Sequence, residues 1–219
     1  MSMTADLEAG RPPHQLRPDL WLFPPNRDCQ GGSSWWLQRA EESVLIDCPP
    51  LSRATLSFLE RVTVDRNVRI VLTSREGHGR LKRVQDHFGW PVLVQEQEAY
   101  LLPGVAQLES FSEQAQTSGG LRLLWTPGPT PGSCVVLAPG CSNLLFCGRL
   151  LTPLGPGRLG PMRHARTFHW SRQLLSLKRL RRWIPPDASP DLASGAGLGA
   201  LRGARLVPFS GWEVDKESS

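Results

Sequence analysis

No run in the 219-residue chain approaches the roughly 18 consecutive apolar residues that a membrane-spanning helix needs. Its opening, MSMTADLEAGRPPHQLRPDL, has no apolar core of the kind a secretory signal carries, so a soluble cytoplasmic protein is the default expectation. Paired cysteine motifs are missing too. Cys29, Cys48, Cys134, Cys141 and Cys147 are odd in number and include no Cys-x-x-Cys, which argues against a disulfide framework and against a zinc ribbon or finger. Buried thiols that pack as small apolar side chains are the favoured reading. Acidic residues are absent between Arg149 and Pro186, where nine of the 25 basic residues stand: Arg149, Arg158, Arg163, Arg166, Arg172, Lys178, Arg179, Arg181 and Arg182. The rest of the chain holds 16 basic against 20 acidic residues, so the net charge of +5 belongs to one segment.

What is present reads as one globular domain over 19–213, preceded by a polar lead at 1–18 and followed by a polar tail at 214–219. DLWLFPP and the two halves of SSWWLQRAEESVLIDCPP read as strands, the latter pair joined by a turn near Ala40 to Ser43. LSRATLSFLERVTV spaces Leu51, Leu56, Phe58, Leu59 and Val62 as a helix with Ser52 as its N-cap. VRIVLTS is a strand, GRLKRVQDHFG a short helix and PVLVQ a further strand, giving a strand and helix alternation. AQLESFSEQAQ, LRLLWTP, SCVVLAP and NLLFCG continue as strands, and Thr152 to Pro161 reads as a Gly/Pro loop. HWSRQLLSLKRLRRWI is a helix stopped by Pro185 and Pro186; SPDLASGAGLGALRGA is a loose helix or a linker, and RLVPFSGW a closing strand.

Four stretches in order resemble the metallo-β-lactamase superfamily of metallo-hydrolases and oxidoreductases. GGSSWWL with VLIDC is similar to its opening hairpin, and IVLTSREGHGRLKRVQDHFGWPVLVQEQEA to its first ligand-bearing segment. WTPGPTPGSCVVL with NLLFCGRLL resembles a T-P-G-H-T-P-G-S loop followed by a strand ending in Gly-Asp, and ARLVPFSG a last strand ending in Pro-Gly-His-Gly. The resemblance spans Trp21 to Trp212 and implies an α/β fold, an αββα sandwich of two mixed sheets flanked by helices.

It also implies a pocket that would hold one or two Zn²⁺ or Fe ions, which lower the pKa of bound water to about 7. The family's T-H-x-H-x-D-H segment is here Thr73, Ser74, Arg75, Glu76, Gly77, His78, Gly79. Pro129 replaces the loop histidine, Arg149 the bridging aspartate and Ser210 the last histidine. With Asp47 at the end of VLID, the expected vestigial pocket is Asp47, Ser74, Glu76, His78, Pro129, Arg149 and Ser210, with no metal, cofactor or catalytic residue assigned. Pro127-Gly128 and Pro131-Gly132 make tight turns around a proline that offers neither ligand nor backbone donor. Arg149 cannot ligate a cation, so its guanidinium would stand in electrostatically, pairing with Asp47 or Glu76 or holding a small anion, unless it turns out to solvent.

The expected function is accordingly a non-catalytic binding or scaffolding role, that of a pseudoenzyme, with a protein partner or a small anion in the pocket. One alternative is a metallo-hydrolase with an atypical ligand set of Glu76, His78, His164 and His169, which requires those four side chains to converge. Another is a nucleic-acid or anionic-surface binder acting through the basic helix 169–184, against a solvated helix face as the plain reading. No nucleic-acid-binding motif accompanies that charge.

Overall fold

The computed structural model describes residues 7–213, so the first six residues of the lead and the 214–219 tail lie outside the described residues. Two β-sheets form its centre. The first takes its strands in chain order: β1 (His14–Arg17), β2 (Leu20–Leu22), β3 (Trp35–Leu37), β4 (Ser43–Ile46), β5 (Val68–Val71), β6 (Val92–Gln95) and β7 (Leu108–Phe111). Pairing is antiparallel from β1 to β4 and parallel from β4 to β7. The switch follows from the connections, because the β4 to β5 link runs through α1 (Arg53–Val62) and the β5 to β6 link through α2 (Leu81–Phe88). α1 starts where Ser52 accepts a hydrogen bond from the Thr55 amide at 3.2 Å, and α2 stops at Gly89 in the left-handed region.

The second sheet has the order β14-β11-β10-β9-β8, with β8 (Gln114–Gln116), β9 (Arg122–Trp125), β10 (Cys134–Ala138), β11 (Leu144–Gly148) and β14 (Asp191–Ser194). Alternate residues of the first sheet divide between two cores. Val44, Ile46, Val71 and Leu93 face the second sheet, whereas Leu45, Ile70, Val92 and Val94 pack with Leu56, Leu59, Leu81 and Val84 of α1 and α2. On the outer side of the second sheet, α4 (Trp170–Trp183), which follows the four-residue α3 (Glu96–Ala99) in the chain, packs Leu177 and Leu180 into the same hydrophobic cluster as that sheet, joined by Ile184 just beyond it. The layers are α, β, β, α, as the resemblance implies.

Several elements differ from the sequence reading. AQLESFSEQAQ is not one strand: the chain bends at Ser112 and Glu113, where Gln95 Nε2 donates to the Ser112 carbonyl at 3.0 Å, and β7 and β8 end up in different sheets. Thr152 to Pro161 forms a hairpin, β12 (Thr152–Gly155) and β13 (Arg158–Gly160), closed by Pro156-Gly157. SPDLASGAGLG is neither helix nor linker; β14 pairs in parallel with β11 and buries Leu192 and Ala193 completely. RLVPFSGW is not a strand, since only Val207 bridges back to Leu192 before Pro208, which has no amide hydrogen, and a 3₁₀ turn at Phe209–Gly211 follows.

Candidate functional site

The pocket forms where strands of both sheets end together. Asp47 follows β4 with φ 59°, a left-handed conformation that aspartate tolerates better than most residues. Its buried carboxylate accepts from the Thr73 amide at 2.7 Å and from Thr73 Oγ1 at 2.6 Å, so the end of β4 is tied to the end of β5. The Thr73 carbonyl in turn accepts from the Cys134 amide at 2.8 Å, which carries the link across to β10. Burial raises the Asp47 pKa to about 6, against the lowering effect of the Thr73 hydrogen bonds and of the Arg149 charge.

Ser74, buried, leads into a 3₁₀ turn, Arg75–Gly77, that sends Glu76 into the pocket. There Glu76 meets Arg149, the residue after β11, with Nε to Oε2 at 3.1 Å; both side chains are largely shielded from solvent. Arg149 Nη2 also donates to the Cys29 carbonyl at 2.6 Å. Gly32 leaves room for this, because a Cβ there would stand 2.8 Å from Arg149 Nη2 and 2.9 Å from the Cys29 carbonyl oxygen. The second glycine of the opening hairpin's Gly-Gly pair thus makes way for the arginine. Of the alternatives the sequence left open, Arg149 pairs with Glu76; it does not turn out to solvent.

The T-P-G-P-T-P-G-S loop has a different task from presenting a ligand. Gly128 and Pro129 carbonyls accept from the His169 and Phe168 amides at 3.0 and 3.1 Å, and Ser176 Oγ donates to the Pro127 carbonyl at 2.7 Å. The loop is a clamp on the first turns of α4, and Pro129 is a buried wall of the cavity.

That cavity, about 460 Å³, is lined by Gln30, Glu76, Pro129, Arg149, Gln173 and Ala196, together with Arg166 and His164 from the loop before α4. Asp47 stands behind it, tied to Thr73, and His78 lines an adjoining cavity with Glu76, Gln30, Arg75 and Arg166. Ser210 does not reach the pocket: it is exposed on the 3₁₀ turn after Pro208. The strand that ends there is β14, and Ser194-Gly195-Ala196-Gly197 occupies the place that the resemblance gives to Pro-Gly-His-Gly, so Ala196 replaces Ser210 in the site.

The four residues of the atypical ligand set do not converge. His164 lines the main cavity and His78 the adjoining one, while His169 is the N-cap of α4, its Nδ1 accepting from the Arg172 amide at 3.3 Å. Burial and the neighbouring Arg75 lower the His78 pKa to about 4, so its ring is neutral at pH 7. Among the described residues no three His, Cys, Asp or Glu side chains are grouped so as to hold a metal ion. Cys29 is no nucleophile either, because burial and the Asp47 charge push its thiol up to about 12.

The basic helix is partly spent on structure. Arg179 pairs with Glu113 at 2.7 Å and Arg181 lies over the Trp212 ring at 4.9 Å. Arg172, Lys178 and Arg182 remain on the exposed face beside Leu175.

Gln173, Arg75, Arg166, Gln30 and Ala196 were not read as site residues from the sequence. Only Ala196 had a signal, the S-G-A-G run at a strand end.

No family model matches the chain, and no curated protein does. Solved structures do. A metallo-β-lactamase from Pontibacter korlensis is 21% identical, with 88% of this chain and 99% of that one covered and a TM-score of 0.62. The B3 metallo-β-lactamase BLEG-1 is 19% identical over 87% and 94%, with a TM-score of 0.65. An archaeal metallo-β-lactamase superfamily protein from Sulfolobus tokodaii is 18% identical over 88% and 82%, with a TM-score of 0.62. Likeness at this level of identity concerns the backbone, and with the two sheets and their flanking helices it establishes one thing: the chain has the metallo-β-lactamase fold.

Proposed function

We propose that this protein is a non-catalytic binding protein whose pocket is organised by Arg149 instead of metal ions. The observation that carries the reading is the Arg149 to Glu76 ion pair at 3.1 Å, set where the resemblance places a carboxylate between two metals. A metal there needs several free anionic or imidazole donors. Asp47 engages both of its oxygens with Thr73, Glu76 is held by Arg149, and Pro129 and Ala196 offer nothing to a cation. The donor set therefore does not fit zinc or iron, and no hydrolytic step is derived through one. A guanidinium also repels a second cation at close range.

The test is the metal content of tag-free protein by elemental mass spectrometry, before and after incubation with Zn²⁺ and Fe²⁺ followed by dialysis. Less than about a tenth of an equivalent is expected in both samples, because structural and catalytic zinc sites bind too tightly to be lost on dialysis. Near-stoichiometric metal would overturn the reading and return the protein to the hydrolases.

A further inference from the structure

We infer that the pocket binds a small organic phosphate, a phosphomonoester whose carbon part carries a hydroxyl; this rests on the metal-free reading above. The two adjoining cavities share Gln30, Glu76 and Arg166, and together they gather three guanidiniums, Arg75, Arg149 and Arg166, against the single carboxylate of Glu76. Arg75 and Arg166 join no ion pair among the described residues. The lining side chains thus carry an excess of about two positive charges, which the buried Asp47 carboxylate behind them reduces to about one; the cleft still favours an anion, and arginine's planar fork suits phosphate oxygens.

Two further features bear on the carbon part of the ligand. The first is Gln173, 1% exposed, whose Nε2 donates to the Leu150 carbonyl at 3.2 Å. A carbonyl can only accept, so the amide orientation is fixed and Oε1 is left buried with no hydrogen-bond partner, on a residue that lines the cavity. A buried acceptor left this way calls for a donor, which a hydroxyl on the carbon part supplies, because the phosphoryl group of a dianionic ester has no O–H to offer. The second is the apolar part of the lining, Pro129, Pro153, Met162 and Ala196, which suits a short carbon skeleton. The cavity's size is that of a small-molecule site.

The experiment is calorimetric titration of protein as purified, without chelator, at low ionic strength, with glycerol phosphate, inorganic phosphate and glycerol, the metal content being measured on the same preparation. Glycerol phosphate is expected to bind at least tenfold more tightly than inorganic phosphate, and glycerol not at all. Arg149→Gln and Arg166→Gln should each weaken the ester at least fivefold, and Gln173→Leu should bring it down to the level of inorganic phosphate. Arg166 lies on an exposed loop, so its variant keeps the test sound if Arg149→Gln unfolds the protein. Absence of saturable ester binding by folded wild type, or an affinity indifferent to Arg166→Gln, would overturn the site. Equal affinity for inorganic phosphate would overturn the organic part. Metal-poor protein that binds no ester sinks this inference alone; metal-rich protein sinks the reading beneath it.

Discussion

Gly128→Ala is expected to destabilise the protein by about 2 to 6 kcal/mol, far more than one methyl group ordinarily does. Two independent costs add. The backbone at Gly128 has φ 145°, where side-chain-bearing residues are strained, at a cost of about 1–3 kcal/mol. The added Cβ would also stand 2.4 Å from both Cα and Cβ of Gln173, so α4 itself would have to move, and overpacking of this kind costs about 1–3 kcal/mol. Gly120→Ala is the control: φ is 80° and the position is open, so only the conformational cost of about 1 kcal/mol remains. Urea unfolding of the two variants beside wild type measures the difference. Equal losses would show that the loop does not bear on the helix as the hydrogen bonds to His169 and Phe168 indicate. Displacement of α4 would carry Gln173 away from the cavity, so Gly128→Ala should impair ligand binding along with stability.

The same loop shows what could be read from the sequence and what could not. Its two Pro-Gly turns announce rigidity, and the replacement of a ligand by Pro129 announces a change of purpose; that the loop would grip α4 is a tertiary fact no local pattern contains. The central strands were legible because they alternate between two cores, as Val44, Leu45 and Ile46 do. Ser52 was legible as a cap because its chemistry is local. β14 was not, since Ser194, Gly195, Ala196 and Gly197 have the composition of a loop, and the strand exists through its parallel pairing with β11. That is why the sequence pattern points to Ser210, beside a better-looking strand, as the last pocket residue. In the site, Arg149 stood out because a guanidinium at a metal-bridging position contradicts the chemistry around it. Arg75, Arg166 and Gln173 are ordinary in sequence; the fold alone brings their three elements to two adjoining cavities.

Asp47→Asn should make the protein more stable at pH 7 by up to about 3 kcal/mol, and the gain should vanish below pH 4. A carboxyl whose pKa rises from 3.8 in the unfolded chain to about 6 in the folded one binds its proton more tightly when folded. Its contribution to stability is therefore fully present below the unfolded value and is lost as pH rises through about 6. Asparagine carries no charge to lose, keeps an oxygen for the Thr73 amide, and tolerates φ 59°. Subtracting the two stability profiles removes every other carboxylate common to both proteins. A difference that stays flat from pH 4 to pH 8 would refute the buried titration. The Arg149 charge lowers the Asp47 pKa, so in an Arg149→Gln background the midpoint of the difference should move to higher pH. With arginine in place, the midpoint of about 6 leaves the aspartate mostly ionised at neutral pH. In that respect the guanidinium does for the buried carboxylate what a bound cation would do: it holds the negative charge where the fold needs an acceptor for Thr73.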